Sequence, residues 1–361
     1  MKKTSVLIVG GGVAGLGAAT ALARQGLDSL VVEKGPSLGG AVARFCCKAA
    51  PVCARCGACR LGDLLGEVAA RPGIEALTRA MPVALRAEGE GWLVDLAPQP
   101  AGSAPDDPLA PPLSRKNQVA AGAIILAVGH TPFNARHKSR FGYGRVEGVV
   151  TGLELEKALL KGGVSGQGGE PPQRVAFIQC VGSRDQALGR LYCSRVCCGY
   201  ALRLARLLRH QHPGSEVTFY HMDVQDYGRA WEDELAGLRQ EVEFIRAIPG
   251  EVTAGPTGPS VLYAAPGGSQ VRRDYDLVVL SIGMGPPLAA GALGDMLGLS
   301  QTADGFIGAA DDVVGAGRAG VFVAGSAQGP RSIGESLTHA GLAAAAAGRH
   351  LAARRGGKAH G

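Results

Sequence analysis

The sequence predicts an α/β protein with two doubly wound units, the first interrupted by the second. Three stretches carry this prediction. The chain opens with a strand, a glycine loop and a helix, SVLIVGGGVAGLGAAT; a strand–helix–strand pattern follows at 174–223; and a strand runs into glycine again in GVFVAGSAQGP at 320–330. Strands that alternate with helices predict parallel sheets covered on both faces. A chain of 361 residues is long enough for two such domains.

Composition argues against several classes of function. The net charge is +6 and the basic residues are scattered without a dense run, which argues against a nucleic-acid-binding protein. Apolar stretches fall short of the roughly 18–20 residues that cross a bilayer. The apolar run near the N-terminus has five residues and is cut off by glycines, so a signal peptide is not predicted. We expect a cytoplasmic protein.

The first glycine motif, Gly10-x-Gly12-x-x-Gly15, is expected to bind a dinucleotide. Gly10 permits the tight turn, Gly12 lets the pyrophosphate approach the backbone, and Gly15 lets helix and strand pack closely. The helix then begins with Val13 and Ala14, and a helix N-terminus supplies amide donors and a positive dipole end for phosphate. Because the motif lies between a strand and a helix, it indicates a dinucleotide site and not a plain glycine turn.

Later segments indicate that the dinucleotide is FAD. The second strand ends at Glu33, which is placed to bind ribose hydroxyls. The loop 34–40, the segment AAGAIILAVGHTPF (120–133) and GVFVAGSAQGP resemble successive motifs of two-dinucleotide-domain flavoproteins. The last motif usually carries Gly-Asp; Ser at this place weakens the contact to the ribityl chain or leaves it to another group. Beyond the first motif, the contacts expected from these segments are Glu33, Lys34, Gly39, Gly40, Gly129, Gly325 and Ser326.

The inserted unit lacks a second nucleotide loop. Its first strand is RVAFIQC (174–180) and its first helix is CCGYALRLARLLRHQ. Thioredoxin-reductase-like enzymes, which this layout resembles, hold NAD(P)H at this point. Here Cys180-Val-Gly-Ser-Arg-Asp185 stands in place of GxGxxG. We therefore expect little or no direct oxidation of NAD(P)H.

The predicted domain borders follow from these motifs. The first part of the FAD domain is expected over 1–134 and includes a cysteine-rich loop at 46–59. The inserted Rossmann-like domain is expected over 135–288, and the second part of the FAD domain over 289–361.

Nine cysteines fall into two tight groups. A secreted disulfide framework would be dispersed and even in number, so the grouping indicates metal or redox chemistry. In the second group, Cys180 ends a strand while Cys193, Cys197 and Cys198 surround the start of a helix, and these two places face one crevice in an open α/β sheet. A helix N-terminus favours thiolate. Four cysteines without histidine suit a [4Fe–4S] cluster or structural zinc; inert buried thiols are the alternative.

Helix geometry sets a condition on this second group. Cys193 and Cys197 would lie on one face at i and i+4, whereas Cys198 points about 100° away. All four cysteines can bind one cluster only if the turn before Cys197 is not ideally helical.

The segments IQCVGSRD and YCSRVCC resemble the A-type subunit of heterodisulfide reductase and its shorter relatives in sulfur metabolism. The resemblance implies that Cys180, Cys193, Cys197 and Cys198 hold an atypical [4Fe–4S] cluster beside the FAD. Full-length relatives carry ferredoxin domains that this chain lacks. The resemblance is therefore to the short forms, namely the A-type subunits of the quinone-interacting membrane-bound oxidoreductase and of the sulfur-oxidation complex.

The first group lies in the loop 46–59. Cys53-x2-Cys56-x2-Cys59 has the spacing of the first three ligands of a bacterial ferredoxin cluster, and Cys46 or Cys47 supplies a fourth. In the resembled family only a CxxC is usual here, matching Cys56 and Cys59. A redox dithiol near the flavin and a thiol-rich surface loop remain alternatives. The candidate ligands of a second cluster are Cys47, Cys53, Cys56 and Cys59.

The resemblance implies an oxidoreductase that relays electrons between FAD and the clusters of partner subunits. The expected partners are B- and C-type subunits of a heterodisulfide-reductase-like complex or their equivalents, with a homodimer of this chain and with membrane contact only through partners. The alternative is a stand-alone NAD(P)H-dependent flavin disulfide reductase that uses a CxxC dithiol.

Overall fold

The structure is a computed structural model and describes residues 1–100, 107, 109–164, 169–225, 231–308 and 313–357. The strands, numbered in chain order, are β1 (Lys2–Val9), β2 (Ser29–Val32), β3 (Ile74–Leu77), β4 (Ala80–Glu88), β5 (Gly91–Pro98), β6 (Asn117–Leu126), β7 (Thr131–Pro132), β8 (Val149–Thr151), β9 (Arg174–Val181), β10 (Glu216–Tyr220), β11 (Glu243–Ile245), β12 (Glu251–Ala254), β13 (Pro259–Ala264), β14 (Gln270–Asp274), β15 (Leu277–Ile282), β16 (Met284–Gly285) and β17 (Val321–Val323). The helices are α1 (Val13–Arg24), α2 (Arg60–Ala70), α3 (Gly152–Leu160), α4 (Cys197–Gln211), α5 (Trp231–Glu241), α6 (Ala290–Leu297) and α7 (Ile333–Gly357).

The first of two compact units is formed by Met1–Ala43, Gly57–Thr131 and Gly285–Gly361. Its sheet has the order β3-β2-β1-β6-β5-β4, with β17 also paired to β6. β3, β2, β1, β6 and β17 run parallel, while β4, β5 and the start of β6 form an antiparallel meander. Because β1 lies between β2 and β6, the strand order reverses at β1. An open α/β sheet binds its ligand at such a switch point, at the carboxyl ends of the strands.

The second unit is formed by Arg44–Cys56 and Pro132–Met284. Its five-stranded parallel sheet has the order β11-β10-β9-β15-β8, and β12, β13 and β14 form a separate antiparallel sheet. Here β9 occupies the switch point, between β10 and β15. The interior strand β15, between β9 and β8, is buried along its whole length, as expected for a parallel strand that is covered on both faces.

The helices differ in how their N-termini are capped. α3 begins with a capping box, in which Glu154 N–H donates to the Thr151 hydroxyl and Thr151 N–H donates to the Glu154 carboxylate at 2.7 Å. By contrast, α1 and α4 begin at Gly12 and Val196 with no side-chain cap. The start of α6 at Ala289 also has no side-chain cap, so an uncapped start leaves first-turn amides to other acceptors but does not by itself indicate a ligand.

The unit borders differ from the predicted ones at one important place. The chain passes between units after Thr131 and Met284, within four residues of the predicted borders at 134 and 288. The cysteine-rich loop, however, was predicted to belong wholly to the first unit, and Arg44–Cys56 belongs to the second. The physical reason is a buried ion pair between Lys48 of the loop and Glu156 of α3. Sequence spacing alone does not reveal this pairing across more than a hundred residues.

Among the residues described, no helix combines the length and the apolar character needed to cross a membrane.

Candidate functional site

The glycine loop after β1 is built as the motif predicts. Gly10 has φ +111°, and its N–H donates to Val32 O at 2.8 Å. A Cβ at Gly10 would lie 2.3 Å from Ala127 O, and one at Gly15 would lie 1.9 Å from Gly10 O. Both glycines are therefore required by the packing of the protein itself.

Gly12 differs from these two glycines because the space around it is open. A Cβ built there would meet only the Gly40 Cα, at 3.9 Å. Gly12 also forms a parallel bridge with Gly39, whose N–H donates to Gly11 O at 2.8 Å. The loop that carries Gly39 and Gly40 thus lies beside the start of α1, where Val13 and Ala14 present first-turn amides. This arrangement leaves room for a phosphate group at Gly12.

The carboxylate of Glu33 at the end of β2 holds the two loops together. One carboxylate oxygen accepts the Gly11 N–H at 2.8 Å, and the other accepts the Gly35 N–H at 2.7 Å. Glu33 is half-buried, and Lys34 beside it is exposed. A carboxylate has about four lone-pair positions, so Glu33 can order these loops and still accept ribose hydroxyls.

The carboxyl ends of β6 and β17 carry the other predicted dinucleotide contacts. Gly129 has φ +73° and nothing lies within 4 Å of a Cβ built there. The imidazole Nδ1 of His130 lies 3.1 Å from the Ser326 hydroxyl. Where flavoproteins of this layout usually carry Asp, the chain therefore has a serine hydroxyl in contact with a histidine.

His339 on α7 supports this edge of the sheet, and the sequence motifs did not single it out. Its Nδ1 accepts the Gly325 N–H at 2.9 Å, so the ring proton resides on Nε2, which donates to Val313 O at 2.5 Å. Burial lowers the pKa of His339 below its usual value. The neutral imidazole therefore fixes the left-handed turn at Gly325, φ +68°. The small residues of the GVFVAGSAQGP motif gave no signal of this helix-borne partner.

The second cysteine group lies at the switch point of the second unit. Cys180 stands at the end of β9, and Cys197 and Cys198 open α4. Cys193 lies in the loop before α4 and not on the first turn of the helix. Arg195 in that loop has φ +63°, so the turn before Cys197 is not helical, which is the condition for Cys198 to share a site with the others.

The four cysteines are near enough to influence one another's charge. Burial is the largest cause that raises the pKa of Cys197 far above its usual value, and Cys198, Cys180 and Cys193 add to this rise. Burial likewise raises the pKa of Cys198 to about 12 and that of Cys180 to about 11. Three of these groups are therefore protonated thiols in the absence of a cation, and metal ligation releases their protons.

The turn after Cys180 covers the place where a nucleotide loop would present its backbone. Cys180 and Gly182 both have a left-handed backbone, with φ +58° and +86°. A Cβ at Gly182 would lie 2.0 Å from the ring of Phe133, so this aromatic ring packs directly on the glycine. The guanidinium of Arg190 lies over the same ring, 5.1 Å from its centre. A pyrophosphate cannot approach Gly182 as it can approach Gly12.

The second cysteine group offers four thiols and no histidine as possible ligands. Across the described segments, no three His, Cys, Asp or Glu side chains are arranged to hold a single metal ion. A structural zinc site is a compact tetrahedron with short metal–sulfur distances. Four cysteines without histidine are a ligand set that both a [4Fe–4S] cluster and a structural zinc ion use.

In the first cysteine group, Cys47, Cys53 and Cys59 are exposed and Cys56 is half-buried. Cys47, Cys53 and Cys56 belong to the second unit, whereas Cys59 is the residue before α2 in the first unit. The four candidate ligands of a second cluster are therefore accessible thiols.

Cys46 differs from its neighbours because it is buried against Glu156. Its N–H donates to the Glu156 carboxylate at 2.7 Å and its thiol lies 3.2 Å from the same oxygen. Burial, with a further contribution from Glu156, raises the pKa of Cys46 to about 12. Lys48 completes the group with its Nζ 2.5 Å from Glu156. The sequence left Cys46 and Cys47 open as a fourth ligand. The contacts of Cys46 with Glu156 disfavour Cys46 and leave Cys47 as the candidate.

Comparison with known proteins identifies the family. A profile for NAD(P)-binding Rossmann-like domains matches residues 8–47. The chain is 31% identical over 96% of its length to an A-type iron–sulfur subunit of the CoB–CoM heterodisulfide reductase of Methanopyrus kandleri. It is 32% identical over 94% of its length to the A-type subunit of the H2:CoB-CoM heterodisulfide, ferredoxin reductase of Methanothermobacter marburgensis. The chain belongs to the family of A-type heterodisulfide reductase subunits, which are oxidoreductases. It spans 64% and 63% of the length of these two relatives.

Solved structures similar to this family member confirm the predicted fold. Thioredoxin reductase of Lactococcus lactis superposes with a TM-score of 0.61 at 18% identity, over 97% of this chain and 99% of that one. Thioredoxin reductase of T. acidophilum has the same TM-score at 15% identity, with the same coverage of both chains. The fold is therefore that of a two-dinucleotide-domain flavoprotein of the thioredoxin reductase type, as the sequence predicts.

Proposed function

We propose that the chain is an FAD- and [4Fe–4S]-containing electron-transfer subunit of a heterodisulfide-reductase-like complex in sulfur or energy metabolism. The observation that carries the proposal is the gathering of Cys180, Cys193, Cys197 and Cys198 at the switch point of the second unit, in a member of this family. When bound, flavin exchanges two-electron for one-electron steps, and iron–sulfur clusters carry single electrons. Partner subunits of the B and C type, or their equivalents, donate and accept the electrons.

In the first unit, the chain's own residues hold FAD. The open backbone at Gly12 and the first-turn amides of α1 bind the pyrophosphate. Glu33 accepts ribose hydroxyls while it orders the glycine loop through the Gly11 and Gly35 amides. At the far strand ends, Ser326 and His130 take the place of the usual carboxylate and contact the ribityl chain.

In the second unit, Cys180, Cys193, Cys197 and Cys198 bind one [4Fe–4S] cluster. The loop cysteines Cys47, Cys53, Cys56 and Cys59 bind a second one. The proposal includes a homodimer of this chain, a cytoplasmic location, and membrane contact only through partner subunits.

A stand-alone NAD(P)H-dependent disulfide reductase is the competing function. Its support is the likeness to thioredoxin reductases, which at 18% identity concerns the fold alone. Against it stands the ring of Phe133 on Gly182, at the position where such an enzyme would bind the pyrophosphate of NAD(P)H. We therefore prefer the electron-transfer role.

An anaerobic purification separates the two functions. The proposed electron-transfer protein contains one FAD per chain, a broad absorbance shoulder near ~400 nm from cluster charge transfer, and about four or about eight iron atoms per chain with equal acid-labile sulfide, for one or two clusters. Flavin bands without iron, together with NADPH-dependent reduction of a disulfide, would establish the disulfide reductase instead.

A further inference from the structure

Backbone strain in the described chain is concentrated beside the cysteines. Apart from glycines, the residues with positive φ are Arg55, Arg79, Cys180, Arg184 and Arg195. All of them except Arg79 lie within one of the two cysteine groups. A left-handed backbone is unfavourable for such a residue and persists where its surroundings enforce it, often at functional sites.

Two of these residues repeat one local arrangement, which we name the Cys-x-Arg turn. In the first turn, the N–H of Arg55 (φ +48°) donates to the sulfur of Cys53 at 3.4 Å. In the second, the N–H of Arg195 (φ +63°) donates to the sulfur of Cys193 at 3.3 Å. One turn lies in the loop 46–59 and the other before α4, yet both belong to the second unit.

The residue between cysteine and arginine anchors each turn. Ala54 is 7% exposed and Ser194 is fully buried. The Ser194 hydroxyl is held further because it accepts the Met284 N–H at 2.9 Å. Fixing the middle residue holds the following amide in place, so that it points at the cysteine sulfur.

The chemistry of this hydrogen bond indicates which form of the sulfur the turn serves. A neutral thiol is a weak acceptor, so an amide bonded to it offsets little of the strain at the arginine. A sulfur with negative charge accepts a much stronger, charge-assisted bond. The turn therefore stabilises a cysteine that is a thiolate or a metal-bound thiolate.

We propose that the Cys-x-Arg turn occurs twice in order to hydrogen-bond the sulfur of a cluster ligand, and that Cys53 is a ligand of the same kind as Cys193. The inference rests on the proposed function and assigns the loop 46–59 to a cluster and not to a dithiol. Arg55 and Arg195 are positioning residues that act through their backbone amides. Because hydrogen bonds to ligand sulfur stabilise the more negative reduced cluster, each amide raises the reduction potential of its cluster.

Three variants of the full chain at Arg55 test the role of the amide. Arg55→Gly keeps the N–H and adopts positive φ without cost, so iron content and cluster potential stay at the wild-type values. Arg55→Lys keeps the N–H and the charge and gives the same result. Arg55→Val opposes positive φ; it loses about half of the iron of a two-cluster chain, or retains it at a lower potential. Iron and sulfide assays and EPR-monitored redox titrations measure these outcomes.

Arg79, which is buried whereas Arg55 is exposed, supplies a control for the backbone conformation. It has the same φ, +48°, but no cysteine lies within two residues. Arg79→Val therefore imposes the same backbone penalty and leaves iron and cluster potentials unchanged. Circular dichroism and FAD content verify that each variant is folded. In the same series of substitutions at Arg195, Arg195→Val is expected to change the iron content or the reduction potential of the cluster bound by the second cysteine group.

Two results would overturn the inference while the proposed function stands. The first is an iron-loaded wild type whose iron and potentials are unchanged in Arg55→Val. The second is loss of iron in Arg55→Gly but not in Arg55→Lys, which would assign the effect to the guanidinium. A wild-type chain that takes up no iron overturns the inference together with the proposed clusters.

Discussion

A side chain at Gly12 would touch almost nothing of the protein itself, whereas one at Gly15 would collide with it. The Cβ of a residue at Gly12 has its nearest neighbour 3.9 Å away, and that of a residue at Gly15 would lie 1.9 Å from Gly10 O. The two glycines of one motif are therefore needed for different reasons. Gly15 permits the fold, and Gly12 keeps space for the ligand.

This difference predicts opposite phenotypes. Gly12→Val leaves the circular dichroism and the thermal unfolding of the apoprotein near those of the wild-type apoprotein. It weakens FAD binding by on the order of tenfold or more, since a blocked pyrophosphate contact costs more than about 1.4 kcal/mol. Gly15→Ala lowers the unfolding temperature. FAD per purified chain and fluorescence titration of the apoprotein measure the first effect. Full FAD occupancy in Gly12→Val, or stoichiometric NAD in this site in the wild type, would contradict the assignment.

A second residue-scale prediction concerns the buried pair of Lys48 and Glu156, whose side chains are 3% and 6% exposed. Lys48→Met leaves a buried carboxylate without its cation and lowers the free energy of unfolding by about 3–5 kcal/mol. Lys48→Met/Glu156→Gln removes both charges, keeps an acceptor for the Cys46 amide, and recovers most of that loss. Denaturant unfolding followed by circular dichroism measures both variants.

An exposed pair in the same unit provides the control. Arg272 and Glu251 have side chains that are 48% and 44% exposed, so Glu251→Gln changes stability by about 1 kcal/mol or less. A loss in Lys48→Met no larger than in Glu251→Gln would mean that the pair does not anchor the loop.

Candidate residues could be found in the sequence where the signal is local. The glycine motif, Glu33 and the Cys-rich segments are recognisable because their spacing is fixed by one turn or one strand. The contact of Cys46 with Glu156 was not predictable, because Glu156 lies on a helix far along the chain. His339 was missed for the same reason, since it supports Gly325 from α7.

At the scale of elements, α1 and α4 both begin at the switch points of their sheets, but the loops before them differ. The strand before α1 ends in an open glycine loop, whereas the strand before α4 ends in a left-handed cysteine and a glycine covered by Phe133. The loop between β9 and α4 therefore cannot bind a pyrophosphate in the usual way. The strand and helix on either side of this loop were predictable from the sequence pattern. The packing of Phe133 on Gly182 was not, because Phe133 precedes Gly182 by some fifty residues.

Because Phe133 covers the loop between β9 and α4, we predict that NADH and NADPH do not reduce the flavin of the isolated chain. Under anaerobic conditions the flavin absorbance stays unchanged for minutes after a tenfold excess of either nucleotide is added, while dithionite bleaches the same sample. The dithionite step shows that the flavin is competent. Rapid bleaching by NADH would show that the second unit binds nucleotide despite Phe133.

The whole molecule consists of two units joined by several chain crossings, and the sequence predicted both units and their order. The placement of Arg44–Cys56 with the second unit was not predictable, since the deciding contact is the buried pair between Lys48 and Glu156. In consequence, the candidate cluster ligands Cys47, Cys53 and Cys56 belong to the same unit as the other cysteine group.

Because the candidate FAD residues and the second cysteine group lie in different units, we expect that a substitution can remove one cofactor and leave the other bound. Cys198→Ser removes one ligand of the second cysteine group, so the chain loses about four iron atoms and the EPR signal of that cluster. It keeps one FAD, because the FAD residues lie in the other unit. Gly12→Val does the reverse and keeps its iron.

Iron, sulfide and FAD assays on both variants, purified side by side without oxygen, measure the separation. Unchanged iron in Cys198→Ser would exclude ligation by adjacent cysteines and leave a site of three cysteines, and joint loss of FAD and iron in either variant would mean that the units do not bind their cofactors independently.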